Sequence, residues 1–471
     1  MDRAGGMGYA GLNQTMANQI DMLHGSLVKK LLLFALPLAA TGAVQQLFNA
    51  ADGIILGHFA GSDALAAVGS TAPIINLSIN LFIGLSIGAS VVIANYIGQG
   101  RSDRISDAVH TAALLSLIAG VTIAVIGICI SRPMLHAMGS PDNVIDLSTI
   151  YLRIFFSGMP FMMIYIYFSA ILRSKGDTKR PLVILLCSGA VKVGVSLLLV
   201  IVFGMSVKGV AFATIIANML NSGALVYLLL HEEGPFKLRP GRLRLTKEHF
   251  LRILKIGVPA GVQSMVFSFS NVIIQSTING FGSDAIAGSA AAVNFEFFCY
   301  FVLNAFGQAA VTFTSQNYGA CNAGRCKEVF RDCMLLGAGA MCICNLGFFF
   351  GRSFFVLVFT TDAAVIPWAM IRFSHVLVFQ WIASSYEISG QCMRGMGHSL
   401  LPALISVMGT CVLRIAWIYT IFQSSGTFEM LMDVYPISWT ITGIVTLIAF
   451  AVISRKEYRE MGEYVTAETE K

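Results

Sequence analysis

Apolar residues run along this chain in twelve stretches, each long enough to cross a bilayer core of about 30 Å, which takes roughly 20 helical residues. They lie near 31–56, 66–97, 106–130, 143–171, 182–203, 209–230, 252–279, 286–316, 333–351, 364–391, 401–422 and 434–453. Backbone polar groups in lipid have to bond within their own segment, so the stretches predict helices. A membrane β-barrel would show alternating segments of about 10 residues instead. The pattern predicts an all-α polytopic membrane protein with twelve transmembrane helices. The first stretch is too long for a signal-peptide core and is followed by Gly57-His58-Phe59-Ala60-Gly61, not by a small-residue cleavage site. The first 19 residues are mixed and read as a tail, with Met16 as an alternative start to Met1.

The polar positions between the stretches repeat. Gly61-Ser62-Asp63 recurs as Gly282-Ser283-Asp284, and Leu172-Arg173-x-x-Gly176 with Pro181 recurs as Met393-Arg394-x-x-Gly397 with Pro402. Ile97-Gly98 recurs as Tyr318-Gly319, and Pro37 recurs as Pro259. A register that holds across the whole chain implies two six-helix halves. The expected organisation is a tail over 1–30, a lobe over 31–230, a charged linker over 231–251 with Pro235 and Pro240, a second lobe over 252–453, and a tail over 454–471. Six is even, so both halves enter from the same side, as parallel repeats that hold substrate between them. Pro37 and Pro259 fall inside long helices and are expected to bend them, as gating hinges or as static kinks.

Composition agrees with the pattern. Of 471 residues, 56% are hydrophobic and 12% charged, against roughly 25% charged in an average soluble domain. A water-soluble globule needs more charge, and a disordered chain fewer apolar residues. The net charge of +6 is not gathered into a basic domain, which argues against a nucleic-acid partner. Lys and Arg are strongly asymmetric: 24 of the 31 fall in the tails and in loops after even-numbered spans, and three fall on the opposite side. Arg394 is counted among the 24, as an interfacial anchor. The positive-inside rule then puts both termini in the cytoplasm, and the expected location is the cell membrane. No Walker loop, dinucleotide turn, zinc-protease helix or nucleophile elbow is present, so neither ATP, an organic cofactor nor a bound metal is expected. The ten cysteines are scattered, with no disulfide framework or zinc spacing.

Three acids, Asp52, Glu296 and Glu387, fall well inside spans. A charge at a helix centre costs roughly 2.5–3.5 kcal/mol to insert, so such groups face protein or a wet cavity and are functional by default. Asp52 ends a polar stripe through Thr41, Gln45 and Asn49 at helical steps. A second stripe in the tenth span runs Gln380, Ser384, Glu387, Gln391, Arg394 and reads as a cavity wall. Glu296, Tyr300 and Asn304 share a face of the eighth span, where Glu296 has Arg372 or Arg414 as possible ion-pair partners. Asn76 and Asn80 on the second span, and Gln263, Asn271 and Gln275 on the seventh, are candidate hydrogen-bonding positions in a substrate cavity. Met159, Met162 and Met163 are a flexible group suited to a promiscuous pocket, although packing explains any one of them equally well.

The runs Leu36-Pro37, Gln45-Gln46-Leu47-Phe48-Asn49-x-x-Asp52, Gly57-His58-Phe59-x-Gly61 and Ala64-Leu65-Ala66-Ala67-Val68-Gly69 resemble the MATE family (multidrug and toxic compound extrusion). So do Leu172 to Pro181, Gln316-Asn317-Tyr318-Gly319-Ala320 and Met393-Arg394-Gly395-Met396-Gly397. The resemblance covers about residues 22–455 and is nearest the MepA-like bacterial branch. It implies secondary active export of drug-like compounds and organic cations, driven by entry of H⁺ or Na⁺, by a chain acting as a monomer. It implies a cation-coupling role for Asp52 and supports one for Glu387, with Glu296 a third candidate. Fifth helices of many relatives carry an Asn and, four residues on, an Asp; the matching places here are Lys192 and Ser196. Lys192 is therefore either a coupling partner of Asp52 or a structural ion pair with it. In sodium-coupled relatives the seventh helix carries a Glu where this chain has Phe267, which favours protons. The competing reading is a lipid-linked oligosaccharide flippase of related layout, whose cavity should be lined with cations. An enzyme is disfavoured for want of a nucleophile–base pair or metal cluster.

Overall fold

The computed structural model describes residues 19–138, 142–359 and 362–469. The choice between Met1 and Met16, and most of the expected N-terminal tail, lie outside the described residues. Among the described residues there are helices and turns but no strand, and the chain has the twelve-helix, two-repeat architecture.

In the first repeat the helices are α1 (Leu27–Phe59), α2 (Ser62–Gly98), α3 (Ser102–Ala137), α4 (Asp142–Ser157), α5 (Met159–Ser174), α6 (Lys179–Leu197, continued by a π-turn Leu198–Val202) and α7 (Ser206–Leu230). The second has α8 (Lys247–Asn279), α9 (Ser283–Gly319), α10 (Ala323–Phe350), α11 (Arg352–Phe359), α12 (Ile366–His375), α13 (Ser384–Gly395), α14 (Leu400–Ser406), α15 (Leu413–Tyr419), α16 (Phe422–Ser425) and α17 (Phe428–Thr469).

Among the described residues ten segments are long and apolar enough to cross a membrane: nine of these helices, and the run from α14 through a π-segment Val407–Val412 and α15 to Ser424 in α16. Two spans are broken. α4 and α5 form one span bent by 48°. Pro160 is at the start of α5 and lacks the N–H that would reach the Phe156 carbonyl, so the ladder breaks there. The tenth span, expected as one helix over 364–391, is instead α12, a 3₁₀ segment Leu377–Ala383, and α13. The Gln380 amide holds that segment: it donates to the Glu296 carbonyl at 3.0 Å and accepts from Asn345 Nδ2 at 3.3 Å.

The repeat recurs in the backbone. α1 and α8 are each 33 residues, α2 and α9 each 37. The turns before α2 and α9 need a left-handed residue, met by Gly61 (φ 87°) and Gly282 (φ 98°); Gly176 and Gly397, both at φ 93°, close the fourth and tenth spans. After α2 and α9 the left-handed places are Gly100 and Cys321, at φ 66° and 53°.

The chain divides into two compact units, one built mainly from residues 40–257 and the other from 21–39 and 258–471. The divisions at 39/40 and 257/258 fall within two residues of Pro37 and Pro259. The lobe limits expected from the linker, 31–230 and 252–453, therefore do not coincide with these units. Local packing gives the reason. The start of α1 seats Phe34 edge-on against Phe313, with centroids 5.6 Å apart. The start of α8 lies so close to α2 that a Cβ on Gly88 would meet the Ile253 carbonyl oxygen at 2.2 Å. In the first unit Leu56, Ala67, Tyr151 and Val210 form an apolar core; in the second Phe295, Ala369, Phe373 and Leu377 do so. Outside these cores large apolar side chains stand exposed, among them Val202 at 70% and Phe350 at 75%, as a lipid-facing surface requires.

Candidate functional site

In the first unit Lys192 Nζ lies 2.6 Å from Asp52 Oδ2, with the two side chains 11% and 12% exposed. Asp52 Oδ1 is buried with no hydrogen-bond partner. One turn earlier on each helix, Phe48 of α1 packs over Gly189 of α6. A Cβ on Gly189 would fall 1.7 Å from the Phe48 ring. Only a glycine lets the two helices approach this closely, and the approach brings the carboxylate and ammonium together. The stripe leading to Asp52 changes character along its length: Gln45 and Asn49 are exposed, Thr41 half-buried and Asp52 buried. Of the second-helix positions, Asn76 is exposed and Asn80 half-buried.

In the second unit Glu387 is half-buried and accepts a hydrogen bond from Gln391 Nε2 at 2.8 Å. α9 leaves room beside it, since a Cβ on Gly307 would stand 3.4 Å from Glu387 Oε1. Tyr300, on the same helix as Gly307, is 37% exposed. The rest of the tenth-span stripe is buried: Gln380, Ser384, Gln391 and Arg394 are 7%, 2%, 5% and 4% exposed. Gln380 bonds within the unit, as described above, so it has little surface to offer a cavity in this conformation. Arg394 is not the interfacial anchor expected from sequence; it is buried and donates through Nη2 to Gln263 Oε1 of α8. Asn271 and Gln275 are exposed, and Gln275 donates to Asn279.

Glu296 is held by Arg372 through Nε to Oε1 at 2.6 Å and Nη2 to Oε2 at 3.0 Å, a fork-on-fork pair. Arg372 Nη1 also donates to Ser289 Oγ at 2.7 Å. Met159 and Met163 are fully buried and pack within the first unit.

Sequence reasoning missed the surroundings of Arg414. It is fully buried and donates through Nε to Ser438 Oγ at 3.0 Å. Its guanidinium lies 4.5 Å from the Tyr435 ring centre and 5.8 Å from those of Trp439 and Phe267. Among the described residues no carboxylate pairs with it directly. A lone Arg within a span was the available signal; its aromatic partners lie on α8 and α17, far along the chain.

A family model described as MatE matches residues 37–197 and again 259–420, more than half of the chain and once in each repeat. A Bacillus subtilis protein described as probable multidrug resistance protein YoeA is 29% identical over 81% of this chain and 84% of its own length. The multidrug export protein MepA of Staphylococcus saprophyticus is 20% identical over 73% of this chain and 76% of its own. A solved structure described as the outward-facing conformation of a multidrug resistance MATE family transporter superposes with a TM-score of 0.85 and 21% identity, covering 96% of this chain and all of that one.

Proposed function

We propose, from the premise that this chain belongs to the MatE family and is a multidrug transporter rather than an enzyme, that it exports organic compounds in exchange for protons. The observation that carries the choice of ion is the Asp52–Lys192 pair. An ammonium already occupies the place beside the carboxylate where a sodium ion would be held. A proton needs no such place: it neutralises Asp52, frees Lys192, and leaves again when the pair reforms. In the second unit Phe267, where the resemblance puts a sodium-binding Glu in other members, lies against the Arg414 guanidinium, a further surrounding unfavourable to a cation.

In this reading Asp52 and Glu387 carry the coupling protons, one in each repeat. Gln45, Asn49, Asn76, Asn80, Gln263, Asn271, Gln275 and Tyr300 offer polar contacts to substrate. Pro37 and Pro259, next to the unit divisions, are the bending points. Both termini lie in the cytoplasm, the chain acts as a monomer, and the membrane is the cell membrane. A potential of 100 mV supplies about 2.3 kcal/mol per charge moved, and about 1.4 kcal/mol is a factor of ten. One or two protons thus sustain a drug gradient of about tenfold to several hundredfold. The flippase reading is less well supported, because Lys192 and Arg372 are each neutralised by an acid, and Arg414, which has no such acid, is fully buried among Phe267, Tyr435 and Trp439.

The test is ion movement from proteoliposomes on adding ethidium. Drug-dependent proton movement that persists without sodium is expected. A response that requires sodium and moves no protons overturns the proton reading, and no drug-coupled flux of either ion overturns antiport.

A further inference from the structure

On the first unit a groove of about 670 Å³ runs between α6 and α7. Its length is apolar: Ile184 of α6 faces Met219, Leu220, Gly223 and Leu228 of α7. Its end is polar, formed by Arg180, His231 and Glu232. Positions 219 to 228 span about 14 Å of helix at 1.5 Å per residue, close to half of the roughly 30 Å hydrocarbon core. The polar end sits where α7 terminates, on the side that the Lys and Arg asymmetry puts in the cytoplasm. The walls belong to the lipid-exposed surface, with Met219 47% and Leu220 45% exposed. Gly223 lines the groove between them, and nothing lies within 4 Å of where its Cβ would stand.

The polar end has both signs. Arg180 has five N–H groups. Nε is taken by Asp177, Nη2 by Glu232 Oε1 at 3.0 Å and Nη1 by Glu232 Oε2 at 3.4 Å. Two N–H groups remain, and the side chain is 28% exposed. His231 Nδ1 is 2.9 Å from the Tyr227 carbonyl, so Nδ1 carries a hydrogen, and in the matching tautomer Nε2 is the acceptor. The ring is fixed over Tyr227, with centroids 4.2 Å apart. Glu232 Oε1 is also paired with Nζ of the buried Lys175, which leaves Oε2, with its one long bond from Arg180, as the open oxygen. Donors suited to a phosphate thus stand beside two acceptors suited to a primary ammonium, His231 Nε2 and Glu232 Oε2.

We propose that this groove is a binding site for a zwitterionic aminophospholipid, phosphatidylethanolamine in class. One acyl chain lies along Ile184, Leu220 and Gly223, the phosphate meets Arg180, and the ammonium meets Glu232 and His231. An anionic lipid would match the Arg180 donors but bring nothing for the acceptors, and a choline headgroup has no N–H to give them.

Native mass spectrometry of the intact protein with dioleoyl phosphatidylethanolamine, phosphatidylcholine or phosphatidylglycerol tests this. Phosphatidylethanolamine is expected to be retained about tenfold more strongly than the others, a difference of about 1.4 kcal/mol. Gly223→Leu fills the groove and should abolish that preference. Gly347→Leu places the same side chain at an equally open helical glycine on α10 and should retain it. In the unsubstituted protein, a phosphatidylethanolamine with a photoreactive acyl chain should label α7 around Met219–Leu228. Equal retention of phosphatidylglycerol, unchanged retention by Gly223→Leu, or labelling that misses α7 overturns the proposal.

Discussion

Lys192 Nζ and Asp52 Oδ2 are 2.6 Å apart inside the first repeat, and the second carboxylate oxygen of Asp52 is left unbonded. Removing one partner of a buried pair costs about 3–5 kcal/mol, whereas replacing both by apolar groups of similar size is often neutral. Asp52→Asn breaks the pair and removes the titrating group, so it is expected to lower the melting temperature and to abolish ethidium export from a pump-deficient bacterium while the protein still reaches the membrane. Lys192→Met should lower the melting temperature, and Asp52→Asn with Lys192→Met should recover much of that loss without recovering export. Normal export by Asp52→Asn would remove the coupling role.

Glu387 predicts a different pattern. It takes a hydrogen bond from Gln391 and has no cation within ion-pair distance among the described residues. Glu387→Gln keeps an acceptor oxygen for Gln391 and removes only the titrating group. Stability should change by no more than about 0.5 kcal/mol, within the range of a substitution that leaves no buried group unpaired. Export should fall at least several-fold. Full export at wild-type protein levels would take Glu387 out of the proton path.

Glu296 is expected to fail by instability. Both of its oxygens are engaged by Arg372, which is itself almost fully buried. Glu296→Gln leaves the guanidinium short of charge and should destabilise by about 3 kcal/mol. Glu296→Leu with Arg372→Met should be more stable than Glu296→Leu alone. A double variant no better than the single, measured by thermal unfolding in detergent, would mean the pair does not act as a unit.

What could be read beforehand divides along chain distance. Span positions followed from local hydropathy, and the repeat from matched glycines whose left-handed backbone the structure confirms at Gly61 and Gly282. The meeting of Asp52 with Lys192 was foreseeable because two opposite charges in oil are driven together. The break in the tenth span was not, since α-helical and 3₁₀ segments use the same apolar residues there. Gln380 holds the break through Glu296 and Asn345, both distant in sequence. Arg394 misled for a similar reason: its place near a span end suggested an anchor, but its partner Gln263 is 131 residues away.

The turn after α9 offers a stabilising substitution. Cys321 has φ 53°, while the first repeat uses Gly100 at φ 66° in the matching place. A side chain in the left-handed region costs about 1–2 kcal/mol, and glycine gives back about 0.5–1 kcal/mol in chain entropy. Cys321→Gly should thus stabilise by about 0.5–1 kcal/mol and raise the unfolding temperature slightly, with export unchanged. A lower unfolding temperature would show that the thiol contributes more to the turn than its backbone strain costs.

His249, near the start of α8 before the seventh span, should make stability fall in mild acid. It is buried, with Nδ1 3.1 Å from the Tyr96 hydroxyl and its ring edge-on to Tyr96. Arg252 donates to the same hydroxyl at 2.8 Å. Desolvation is the largest influence and holds the imidazole below its usual value of 6.5; Glu248 and Asp107 oppose that, while Arg104 and Arg252 add to it. The unfolded chain therefore binds a proton more readily than the fold does. This contribution is fully present above about pH 6.5 and is lost as pH falls through the lower folded value. The unfolding temperature of the purified protein should decline from pH 7.5 toward pH 5.5. His249→Gln keeps a polar side chain for Tyr96 but does not titrate, so its decline should be shallower. The difference between the two profiles isolates this residue from carboxylates that titrate lower. Parallel profiles would mean that His249 accepts its proton in the folded protein as readily as in water, and that burial beside Tyr96 costs the charged ring nothing.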